Sequence, residues 1–156
     1  MGLKQKFQQP IYKDDLIYVI RQVLFMGFTG GILIGALQLL MIYLFNFELT
    51  WLMLFVLAFL TARRIKQVIQ ENHIIYNLLS VLAFILGYYI LNITTRVGIF
   101  YLLTGSLSNV PVLAILNPII YFQFLNPLSS TFLQVNNLLE ILFFIIGIYY
   151  AFQYSK

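Results

Sequence analysis

The placement of charge constrains this chain more than any other feature of its sequence. Nine Lys or Arg and five Asp or Glu are spread over 156 residues so that charge-free runs of 26, 14, 24, 43 and 15 residues remain. A hydrocarbon core about 30 Å thick is crossed by about 20 apolar helical residues. A soluble core of this size has no room for such runs. Charged residues make up only 9% of the chain and apolar ones 62%, where soluble domains carry about 25% charge. The expectation is an all-α integral membrane protein.

Dividing the runs by length and breakers predicts a bundle of four transmembrane helices at residues 22–45, 47–66, 74–95 and 131–154, in one membrane domain over 1–156. The second run is short, so its helix must borrow length at its ends. Arg side chains can snorkel to one interface, and Trp51 offers an aromatic anchor at the other. The fourth helix has N-cap chemistry in Ser129-Ser130-Thr131 and so carries Glu140 inside it. Residues 1–21 are too long for a signal-peptide n-region, and no small-x-small cleavage site follows the first run. The segment is therefore expected to stay attached. It forms either an interfacial helix bearing Tyr12, Leu16, Val19 and Ile20, or the polar first turns of helix 1.

In this four-span frame Lys4, Lys6, Lys13, Arg21, Arg63, Arg64, Lys66 and Lys156 fall on one side and Arg96 alone on the other. The positive-inside rule then puts both termini in the cytoplasm, in a multi-pass protein of the plasma membrane. Arg63, Arg64 and Lys66 serve as topology determinants and as contacts for anionic lipid. The richness in Ile, Leu, Phe, Tyr and Asn suggests a bacterial coding sequence. The connection at 96–130 is apolar and broken by Gly98, Gly105, Pro111, Pro118 and Pro127, which suits re-entrant or interfacial turns. It would fold on its own helices or dock against a partner's membrane segment. A fifth span through 106–125 is the alternative.

Gly27, Gly31 and Gly35 form a small-xxx-small ladder on one helix face, where backbones can approach closely. It would serve either a partner helix or packing within the chain. Gln38, one turn on, must point inward to another helix, or to a substrate or ion. Arg96 and Glu140 fall toward the same outer side and are expected either to pair or to snorkel separately. His73 stands alone, as an ordinary loop residue. Asn117-Pro118 and Asn126-Pro127 are expected to start turns. They resemble the Asn-Pro turns of water channels in the dipeptide only, since here both share one connection.

No paired acids, HExxH, Ser-His-acid set or phosphate loop is present, and the chain has no cysteine. The expectation is therefore no enzyme, with no catalytic, cofactor or metal residues. Nucleic acid is not an expected partner, because the positive surplus is first an orientation signal. Lipids and another membrane protein, or a second copy, are. The ladder and the apolar connection favour a non-catalytic subunit or accessory protein of a membrane complex. A small oligomeric transporter or channel is the alternative, and a membrane immunity or regulatory protein a further one.

Overall fold

The computed structural model describes residues 13–69, 73–108, 110–130 and 132–155. Lys4, Lys6, Tyr12, Thr131 and Lys156 lie outside the described residues. Among the described residues the chain is helical and has no strand.

Helix α1 spans Lys13–Phe45 as one rod, interrupted only by a π-helical turn at Met26–Gly30. Asp14 and Asp15 lie in its first turn, where a helix favours negative charge. Residues 13–21 are thus the polar first turns of helix 1. The rod ends at Asn46, whose left-handed backbone (φ 52°, ψ 36°) lets its N–H reach the Ile42 carbonyl at 2.9 Å. Asn tolerates that conformation better than other residues with a Cβ.

Helix α2 (Thr50–Lys66) carries Arg63, Arg64 and Lys66 in its last turn, where they complement the dipole. At 17 residues it is about 25 Å long. Helix α3 spans Ile74–Thr104. It does not stop near Thr95 as the charge pattern suggested. Nothing breaks it before Gly105, which takes φ 68° and closes the helix with its N–H on the Tyr101 carbonyl. His73 is not a loose loop residue. It is buried and caps α3, with Nδ1 accepting from the Ile75 N–H at 3.1 Å.

Two one-turn helices follow, α4 (Val112–Ile115) and α5 (Pro118–Tyr121), then a 3-10 turn at Gln123–Leu125. A fifth span through 106–125 is therefore not formed. Both Asn-Pro pairs start turns: Asn117 Oδ1 accepts from the Ile119 N–H and Asn126 Oδ1 from the Leu128 N–H, each at 3.0 Å. Helix α6 (Val135–Tyr154) begins with Gln134 as its N-cap, later than Ser129-Ser130-Thr131 would have set it. The Phe132 N–H bonds to the Ser129 carbonyl, so the chain is still turning there.

Helices α1, α3 and α6 are each long and apolar enough to cross a membrane. Helix α3 is central, since α1, α2 and α6 all pack on it, while α2 also lies along α6. Packing is closest where α1 meets α3. A Cβ at Gly31 would stand 2.7 Å from the Gly87 carbonyl oxygen, and one at Gly35 2.7 Å from that of Leu91. Thr95 Oγ1, at 3.3 Å from the Gly35 carbonyl, adds a polar link at the same place. At Gly27 the nearest atoms belong to the side chain of Leu86 rather than to backbone.

The glycines should therefore differ in tolerance. Gly31→Ala and Gly35→Ala should each lose about 1–3 kcal/mol of stability through overpacking against backbone. Gly27→Ala should lose less, because the atoms it meets belong to the Leu86 side chain, which can shift where a helix carbonyl cannot. Reversible unfolding in mixed micelles measures all three, and equal losses would contradict this account.

Candidate functional site

Five described basic residues, Lys13, Arg21, Arg63, Arg64 and Lys66, lie at one end of the molecule, where α1 and α3 begin and α2 and α6 end. Two hydrogen bonds tie that end together. Arg64 Nε donates to Gln22 Oε1 at 3.2 Å, and Ser155 Oγ to Asn77 Oδ1 at 3.1 Å. Val19, Val23, Ile65, Tyr76 and Ala83 form an apolar cluster beneath them. Glu48, Arg96 and Glu140 belong to the opposite end, together with the apolar connection.

That connection is seated by aromatic packing. Tyr121 and Phe124 are buried, and Phe124 lies 5.9 Å from Tyr88 and 5.3 Å from Phe144, centroid to centroid. Phe122 joins the same group at 5.4 Å from Tyr88. Edge and tilted contacts of this kind contribute beyond the area they bury. The polar tips of these rings satisfy backbone that the irregular segment leaves open. Tyr89 Oη donates to the Leu116 carbonyl and Tyr121 Oη to the Ile115 carbonyl, both at 2.6 Å. From α6, Asn137 Nδ2 donates to the carbonyls of Phe124 and Phe132 at 3.1 and 3.0 Å.

Arg96 and Glu140 come to this end without pairing directly. The Arg96 guanidinium sits 4.9 Å above the Tyr121 ring, a cation–π arrangement. Glu140 Oε1 lies 2.9 Å from Tyr88 Oη, whose other acceptor is the Tyr121 carbonyl at 3.1 Å. Two tyrosines thus stand where the charge pattern suggested an ion pair. They were not legible among 11 Tyr and 15 Phe with no periodic cue.

The sequence-predicted residues on α1 have distinct surroundings. Gly31 and Gly35 are occupied by α3, so the ladder packs within the chain. Gln38 is only 5% exposed and donates from Nε2 to Thr50 Oγ1 of α2 at 3.0 Å. Its Oε1 is buried and has no hydrogen-bond partner among the described residues.

Thr50 belongs to the wall of a cavity of about 440 Å³ between the α1–α2 turn and the start of α6. Glu48, Trp51, Asn136 and Glu140 line it, with Phe47 and Leu139. Sequence reasoning marked Glu140 and Trp51 for other purposes and had no reason to join them to Glu48. Only the packing of α2 along α6 brings the three together.

No protein-family model, curated protein or solved structure matches this chain.

The hydroxyl of Tyr88 is the shared fastening of connection and α6. Tyr88→Phe should cost about 1–3 kcal/mol, since it strands buried acceptors. Glu140→Gln should cost under about 1 kcal/mol, because the amide oxygen still accepts from Tyr88. Unfolding in micelles with hydrogen exchange over 115–125 checks this, and unchanged exchange in Tyr88→Phe would refute it.

Proposed function

We propose that this chain is a multi-pass plasma-membrane protein in which α1, α2, α3 and α6 cross as a four-helix bundle with both termini cytoplasmic. Its work is non-catalytic: it serves as an accessory or interaction subunit of a membrane complex. Support for insertion comes from the outward faces, where Leu33, Leu40, Leu44, Leu82, Leu142 and Ile145 are exposed. Apolar surface on that scale calls for lipid or protein. Helix α2 falls about 5 Å short of the core, which Arg63, Arg64 and Lys66 accommodate by snorkelling. Orientation rests on the five basic residues gathered at one end.

The observation that carries the accessory reading is the outer connection. Tyr121 and Phe124 turn inward, yet Leu113 and Leu128 are 90% and 92% exposed, and Ile119 is exposed as well. Neither water nor the chain's own helices suit these side chains. With the glycine ladder occupied by α3, this connection is the surface assigned to a partner's membrane segment. The cavity beside Glu140 favours a second reading, a small oligomeric transporter or channel, because ionisable groups at membrane depth often mark a path.

Orientation is testable because the chain has no cysteine of its own. Ser106→Cys should react with an impermeant maleimide on intact cells and Gln67→Cys only after permeabilisation; the reverse pattern overturns the orientation.

Native mass spectrometry in mild detergent tests the role. The wild-type chain should travel with a foreign subunit in fixed ratio. The combined variant Leu113→Gln, Ile119→Gln and Leu128→Gln should keep its helicity and lose that subunit. A bare wild-type monomer sinks the accessory reading, and a homo-oligomer alone shifts weight to transport. Flux in proteoliposomes that Glu140→Gln abolishes would then support that second reading.

A further inference from the structure

The cavity between the α1–α2 turn and α6 has a chemistry that packing does not explain. Its two ionisable residues, Glu48 and Glu140, are both acids. Tyr88 occupies Oε1 of Glu140, while Oε2 carries no hydrogen bond among the described residues. Neither carboxyl has a cationic partner among them. Arg96, the basic residue described at this end, is placed over Tyr121 instead. Asn136 and Thr50 add neutral oxygens to the wall. Behind Thr50 the Gln38 amide is held by a single hydrogen bond, its Oε1 buried and unsatisfied. Burying such an acceptor without a partner has a cost, and the one residue bonded to this amide, Thr50, lines the cavity.

We propose that this cavity is a binding site for a small organic ammonium ion, entering from the outer side. The acceptors set the sign of the ligand. The aromatic lining sets its type: Trp51, partly exposed, and Phe47 offer ring surface to a cation, and indole is the strongest of the cation–π faces. Size points the same way. About 440 Å³ lies within the range of small-molecule pockets and far exceeds one dehydrated metal ion. Among the described residues no three His, Cys, Asp or Glu gather at one place as a metal would need. The site does not depend on the partner reading above, since it uses the α1–α2 turn and α6 rather than the exposed leucines of the connection.

Trp51 is the only tryptophan in the chain, so its emission reports directly on the cavity. The experiment titrates the full chain in maltoside micelles, which bring neither charge nor ammonium groups. The probes are choline, butylammonium and 3,3-dimethylbutan-1-ol, the uncharged carbon isostere of choline. A saturable change in emission with either ammonium ion and none with the alcohol is the expected result. Glu48→Gln and Glu140→Gln should each weaken binding by about tenfold, or about 1.4 kcal/mol, and the double variant should abolish it. An equal response to the alcohol, no saturable response to either ammonium, or full binding by a folded double variant overturns the proposal. Should the double variant fail to fold, the comparison of choline with its isostere on the wild-type chain still decides.

Discussion

The approach of α1 to α3 at Gly31 and Gly35 is the contact on which the arrangement of the other helices rests. Lipid tails are as apolar as leucine, so helices in a membrane gain little from hiding apolar surface against one another. In such a setting, dispersion at short range and a few polar links hold helices together. Both occur here together, in the Gly31 and Gly35 contacts with α3 carbonyls and in the Thr95 bond to the Gly35 carbonyl. The π-helical turn just before the contact places Gly30 near Leu57 of α2 and Gly31 against α3. Adjacent residues of one helix thereby meet two neighbours. With α1 fixed on one side of α3, Phe84 and Tyr88 are left to meet Phe144 of α6 on another.

A second constraint acts on the connection. Irregular backbone at membrane depth is tolerated only where its N–H and C=O groups find partners. In the described parts of the connection, 110–130 and 132–134, several of these groups are met by side chains that are themselves largely apolar. Tyrosines bring a ring to pack and a hydroxyl to donate, and Asn117 and Asn126 bond their own backbone two residues on. This explains how a stretch without charge folds into short turns rather than one long helix.

The same physics decides what the sequence could reveal. The long apolar helices were legible because charge is costly in lipid and its spacing survives translation into one dimension. The burial of Gln38 was legible for the same reason. Helix limits were less so: α3 passes Arg96 because a single arginine does not break a helix, whereas Gly105 with its positive φ does. The glycine ladder marked a face made for close approach without saying what would approach it. Least legible were contacts between distant segments. Glu48 and Glu140 lie 92 positions apart, and Arg96 reaches Tyr121 only because the connection folds back over α3. No periodicity records such a return.

The first two turns of α6 join the two features of the outer end. Asn136 lines the cavity, while its neighbour Asn137 holds the carbonyls of Phe124 and Phe132 in the connection. One turn later Glu140 faces the cavity and is bonded to Tyr88, whose hydroxyl also reaches the Tyr121 carbonyl. Consecutive helix positions diverge by about 100°, so one rigid turn can serve two surfaces at once. A phenol has one proton for two acceptors, and whichever of Glu140 and Tyr121 receives it leaves the other to find a different donor. The cavity and the connection thus meet at a single hydroxyl.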